Sequence, residues 1–117
     1  MQLLTVDQLT GRIEGLFLQD PVLQSLHVQG EILSLKKHTS GHLYFTLTGR
    51  TSRISCVMFR SDTGNLPSWP RDGDEVIVSG RAGVYGARGT YQVYARQIVP
   101  VGLGAAARAK AELKEKL

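Results

Sequence analysis

Between Glu31 and Asp62 the chain places Lys36, Lys37, Arg50, Arg53 and Arg60 with no acidic residue among them, and interleaves them with Tyr44, Phe45 and Phe59. Cations beside flat rings suit a polyanion that carries stackable bases. Ammonium and guanidinium groups neutralise phosphates and release their counterions, while each aromatic face can hold an unpaired base at about 1–3 kcal/mol. The candidate residues are Lys36, Lys37 and His38 in a loop after the first strand, Tyr44 and Phe59 on the next two strands, and Arg88 at the tip of a later hairpin. Tyr85, Tyr91 and Tyr94 offer further stacking faces, and Arg53, Arg60, Arg81 and Arg96 further phosphate or stacking contacts. Taken singly, a loop lysine is commonly a solvated charge and a strand aromatic a core residue. It is the coincidence of acid depletion and aromatics on one expected surface that points to binding.

The elements that must position these groups are legible from periodicity. Thr5-Val6-Asp7-Gln8 fits a capping box, so a helix is expected to begin at Val6. Val6, Leu9, Ile13, Leu16 and Phe17 then form one apolar face, Gly11 and Gly15 weaken the helix, and Asp20-Pro21 stops it. From Leu26 the period changes to two, with Leu26, Val28, Gly30 and Ile32 on one side and a bend or bulge expected at Gly30. The second strand spans His42 to Thr48, with Leu43, Phe45 and Leu47 inward. The third spans Arg53 to Phe59, with Ile54, Cys56 and Met58 inward and Val57 and Phe59 outward. After a turn-rich segment with at most one helical turn, Glu75 to Tyr85 and Thr90 to Val99 form a hairpin around Gly86-Ala87-Arg88-Gly89.

Five short strands, a break after the third and two flanking helices predict an all-β fold, a five-stranded Greek-key barrel of the OB type, with a small SH3-like barrel as competitor. In an OB barrel the face of strands 2 and 3 and the loops joining strands 1 to 2 and 4 to 5 bind oligonucleotides. The acid-free stretches 32–61 and 76–111 fall on those elements.

With 117 residues and 42% hydrophobic content, one domain with one core is expected. The formal charge is +4, but from Lys36 to Arg96 nine Lys or Arg stand against four Asp or Glu, while the remainder carries five against six. The basic character belongs to the middle of the chain. A single cysteine makes no internal disulfide, which favours a reducing compartment, the cytosol. No stretch resembles a membrane span or a secretion signal, so no membrane partner is expected.

Enzymatic and cofactor chemistry is poorly supported. His27, His38 and His42 lack a placed carboxylate or second cysteine to complete a metal site. Asp72-Gly73-Asp74-Glu75 lacks the ligand spacing of a calcium loop and reads as a turn. Gly102-Leu103-Gly104-Ala105-Ala106-Ala107 matches a dinucleotide fingerprint but has no second parallel strand and no ribose-binding acid downstream, so a glycine hinge is the simpler reading. Cys56 reads as core. No metal, cofactor or catalytic residue is assigned.

Several motifs together resemble a known family. These are Val28-Gln29-Gly30-Glu31-Ile32, the run Ser40-Gly41-His42-Leu43-Tyr44-Phe45-Thr46-Leu47, Cys56-Val57-Met58-Phe59-Arg60, Asp72-Gly73-Asp74-Glu75-Val76 and Tyr91-Gln92-Val93. As a set, and with Leu4-Thr5-Val6, they resemble the N-terminal domain of the exodeoxyribonuclease VII large subunit; the run from Gly41 to Leu47 alone is shared in outline with anticodon-binding OB domains. The resemblance implies a domain, 1–101, that engages single-stranded DNA for a bacterial cytoplasmic nuclease acting in DNA breakdown. It implies as partners the small subunit and the rest of the large subunit, whose catalytic domain would follow a glycine hinge and connector helix at 102–117. Two other readings stand beside it. One is a protein-interaction module docking through the helix face of Val6, Leu9, Ile13, Leu16 and Phe17, and the other an RNA-binding module of the anticodon type.

Overall fold

The computed structural model describes residues 2–66 and 69–101. Thr5 caps α1 (Val6–Gln19) by the reciprocal pair its sequence predicts: the Gln8 amide donates to Thr5 Oγ1 at 3.1 Å and the Thr5 amide donates to Gln8 Oε1 at 2.9 Å. Asp20 both ends α1 and starts the single turn α2 (Pro21–Gln24), its Oδ1 accepting from the amides of Val22 and Leu23. The chain then builds β1 (Leu26–Lys37), β2 (Leu43–Thr48), β3 (Arg53–Met58), the turn α3 (Arg60–Thr63), β4 (Glu75–Tyr85) and β5 (Thr90–Pro100).

The strands close into a barrel in the order β1-β2-β3-β5-β4, with β4 returning to β1. All pairings are antiparallel except β3 with β5, which run parallel. This is the five-stranded OB architecture that the strand pattern predicts. β1 serves two neighbours: Leu26 to Glu31 pair with β4, and Glu31 to Lys37 pair with β2.

The expected bulge in β1 lies further along than Gly30. Register shifts between Leu33 and Lys36, where Ser34 takes φ 56, a left-handed conformation that bends the strand. Gly30 is instead a point of close approach: a Cβ there would lie 2.7 Å from Leu47 Cγ and 2.9 Å from the Thr48 carbonyl oxygen. A second register shift in β4 sits at Ser79 and Gly80, where any Cβ would overlap the Tyr94 carbonyl oxygen.

The core is the interior of the barrel. Ile32, Leu43, Met58 and Val78 are fully enclosed, with Phe45, Leu47, Val76, Val93 and Ile98 around them. Each such side chain contributes about 1.5–3 kcal/mol by leaving water. α1 packs on β4 but buries none of its residues, and Val6, Leu16 and Leu18 remain exposed. Cys56 lies inside the barrel, where desolvation pushes its thiol up to about 12, partly opposed by a backbone hydrogen bond from Leu47. It is core, as its alternation in β3 predicts. The predicted hinge and connector helix, 102–117, lie outside the described residues.

Candidate nucleic-acid interface

The outward faces of β2, β3 and β5 form the floor of an open cleft of about 620 Å³. Register explains its centre: Tyr44 on β2, Val57 on β3 and Tyr94 on β5 are lateral neighbours, so their side chains stand in a row. Val57 was expected to be exposed, because it alternates outward with Arg53 and Ser55. It is buried instead, covered from both sides as the apolar floor between two tyrosines. Phe59 was expected to end the third strand. β3 ends at Met58 and Phe59 is the residue before α3, from which its ring walls the cleft.

The cleft brings together six of the sequence-predicted residues: Lys36, Tyr44, Phe59, Tyr85, Arg88 and Tyr94. Tyr44, Phe59 and Tyr85 are each about two-fifths exposed and present usable ring surface. None of the side chains lining the cleft is acidic, while Ser34, Thr46, Ser55, Thr90 and Gln92 add hydrogen-bonding groups. Those polar residues were missed in the sequence; the alternation that put Tyr44 outward also puts Thr46 and Ser55 there.

Tyr94 plays a different part from the one expected of it. Arg81 Cζ lies 4.3 Å from its ring centroid, and the Phe59 ring stacks with it at 5.9 Å and 25°. β5 lies between β3 and β4, so these partners approach Tyr94 from opposite sides. Gly83 makes room for the arrangement, since a Cβ there would stand 2.8 Å from Tyr94 Cε2. Tyr94 is therefore a buttress that sets the Phe59 ring, and Arg81 is engaged with it.

The loop between β1 and β2 supplies a second support. The His42 ring meets Phe59 edge-on at 5.3 Å, and its Nδ1 accepts from the Arg60 amide at 3.0 Å, so its ring proton sits on Nε2. Gly41 takes φ 93, and the aliphatic stem of Arg60 packs where a Cβ would point. His38 stands edge-on to Tyr44 at 6.0 Å. Lys36 and Lys37 were expected in this loop, yet both belong to the end of β1 and alternate in direction: Lys36 pairs with Tyr44 and lines the cleft, while Lys37 pairs with Leu43 and reaches Trp69.

Three expected residues lie outside the cleft lining. Tyr91 has the inward parity of Val93 and sits at one end of the barrel, where its ring meets Phe17 of α1 at 6.2 Å. Arg53 lines a shallow depression with Ile54 and Tyr91 that adjoins the cleft at Ser55 and Thr90 without opening into its centre. Arg96 is exposed on β5 without lining the cleft. Among the described residues no group of three or more His, Cys, Asp or Glu could hold a metal ion, and no helix is long and apolar enough to cross a membrane.

Residues 4–99 match the family described as OB-fold nucleic acid binding domain. The chain is 45% identical over 113 residues to the exodeoxyribonuclease 7 large subunit of Natranaerobius thermophilus and 42% identical over 113 residues to that of Bacillus subtilis. Both alignments cover 97% of this chain, but 27% and 25% of the respective relative. The chain thus spans about a quarter of the length of the curated relatives it matches. Among solved structures, that of yeast Stn1 and Ten1 aligns with a TM-score of 0.53 and 19% identity, covering 78% of this chain and 52% of that one, a likeness of fold.

Proposed function

The chain belongs to the family of OB-fold nucleic acid binding domains, and from that membership we propose that it binds single-stranded DNA in the cleft over β2, β3 and β5. The observation that carries this reading is the combination on one surface of half-open rings at Tyr44, Phe59 and Tyr85, cations at Lys36 and Arg88, and no lining acid. Bases of a single strand stack on the rings, and its phosphates face the two cations. A duplex hides its base faces, so it gains from the charge alone.

The similarity to exodeoxyribonuclease 7 large subunits supports a role for that binding: the domain delivers single strands to a nuclease centre that acts with a small subunit in bacterial cytoplasm. Fluorescence anisotropy with labelled single-stranded and duplex oligonucleotides across a salt series tests the binding. Single strands are expected to bind more tightly, with affinity falling as salt rises. Preference for duplex, or indifference to salt, would overturn the reading. RNA of the same sequence is the control that separates an anticodon-type module, since only RNA offers 2′-hydroxyls.

A specific observation favours docking as a second role. Val6, Leu9, Ile13 and Leu16 share one face of α1 and each stay at least two-fifths exposed, an apolar surface outside the cleft that suits a protein partner. Binding of the purified small subunit by the domain, lost on Leu16→Asp, is the expected result.

A further inference from the structure

Trp69 was not among the residues singled out from the sequence, and it lies outside the cleft. It is 49% exposed, with Lys37 Nζ 5.3 Å from its ring centroid. A scattered exposed apolar side chain needs no explanation. Trp69 differs from one in being held at both ends while its ring stays open. Before it, Leu66 packs against the barrel core, and after it Pro70 is buried.

The next residues are tied to the β1 bulge. The Leu35 amide donates to Asp72 Oδ1 at 2.7 Å, the Gly73 amide donates to the Ile32 carbonyl at 2.7 Å, and the Ile32 amide donates to the Asp74 carbonyl at 2.9 Å. β1 thus sets both parts of the arrangement: Ile32 and the bulge residue Leu35 anchor the segment that follows Trp69, and the bulge directs the strand end that carries Lys36 and Lys37. Those neighbours point to opposite sides, Lys36 into the cleft and Lys37 to the indole. Lys37 stands over the ring, and Trp69 stays about half exposed.

We propose that Trp69 and Lys37 form a second nucleotide-binding position, which receives a base and phosphate of the same single strand where it leaves the cleft across the end of β1. This inference rests on the cleft binding single-stranded DNA. It assigns the strand a direction of travel over the protein, from Arg88 through Lys36 to Lys37, and a bound length greater than the cleft alone accommodates. Indole offers a large stacking face, and a neighbouring ammonium both polarises it and attracts the phosphate.

Trp69 is the only tryptophan of the chain, so its emission reports on this position directly. The experiment titrates the 117-residue protein with end-labelled oligothymidylates from about 4 to about 16 nucleotides, the range of OB-fold site sizes, reading anisotropy and tryptophan emission together. The shortest strands are expected to bind without changing the emission, and longer ones to quench it. Trp69→Ala should weaken binding of the long strands about tenfold, within the range for one stacked base, and leave the short ones unchanged; Trp69→Phe should restore most of the loss. Anisotropy that reports binding at every length with no change in emission would overturn the proposal. So would an equal loss at all lengths in Trp69→Ala, which marks a support of the fold, or quenching by the shortest strand, which makes Trp69 part of the cleft. No binding at any length would remove the cleft reading and this inference with it.

Discussion

The guanidinium of Arg81 sits 4.3 Å from the ring centroid of Tyr94, on adjacent and directly paired positions of β4 and β5. Tyr94 in turn stacks with Phe59, so a cation on β4 helps to set a ring that walls the cleft.

Arg81→Ala is expected to lower single-strand affinity several-fold by loosening Tyr94 and Phe59, with a stability loss of about 0.5–2 kcal/mol from the lost cation–π contact. Gly83→Ala should displace the Tyr94 ring and crowd Arg81 from the same strand, since its Cβ would stand 2.8 Å from Tyr94 Cε2 and 3.1 Å from an Arg81 guanidinium nitrogen. Denaturant melts and ring-proton shifts of Tyr94 check both. Unchanged Tyr94 resonances in either variant would show that the stack is set by something else.

Lys36 and Arg88 both line the cleft, and each is expected to neutralise a phosphate. Replacing both by alanine should reduce the slope of log affinity against log salt by about 1.4, from about 0.7 per contact on single strands. Arg12→Ala, which alters a cation on α1, none of whose residues lines the cleft, should leave the slope unchanged. The binding isotherms over a salt series decide this.

Tyr44→Ala should cost about 1–3 kcal/mol of binding free energy as the loss of one stacked base. Tyr91→Ala should leave affinity unchanged despite the greater exposure of that ring, because it meets Phe17 of α1 at the barrel end. Its effect is expected on the thermal midpoint. Equal losses of affinity in the two variants would contradict the assignment of faces.

The Cys56 thiol, at about 12 in the fold against an ordinary 9.0, holds its proton more tightly when folded. The stability it contributes is fully present below pH 9 and declines as pH rises from there toward 12, at up to about 1.4 kcal/mol per pH unit. Cys56→Ala should flatten that part of the stability profile, measured by urea melts. Reaction of native protein with a thiol reagent at neutral pH should be slow and limited by unfolding.

Local patterns were sufficient for much of the architecture. The capping box at Thr5 and Gln8, the alternation of Leu43, Phe45 and Leu47, and the turn at Arg88 each depend on residues a few positions apart, whose physics operates within one element. Of the bend or bulge expected at Gly30, the register shift lies at Ser34 instead, because a glycine also marks a close approach, and that depends on Leu47 across the sheet. Trp69 belongs to no periodic element, so no local pattern marks it. What places it is the hydrogen bonding of Asp72 and Gly73 to a strand some forty residues earlier.

The sequence by itself determined the number and order of the strands, the inward residues of β2, and a basic, aromatic middle depleted of acids. Side-chain alternation and charge are properties of the local chain, and they survive into the fold unchanged. Only the tertiary structure decided which rings share a surface. Closure of the barrel set β5 beside β3, put Tyr44, Val57 and Tyr94 in one row, turned Val57 into a floor and Tyr94 into a buttress, and left Tyr91 and Arg53 outside the cleft lining. Those relations come from register between strands distant in sequence. Closure and the bulge at Ser34 select that register, and alternation within a single strand does not contain it.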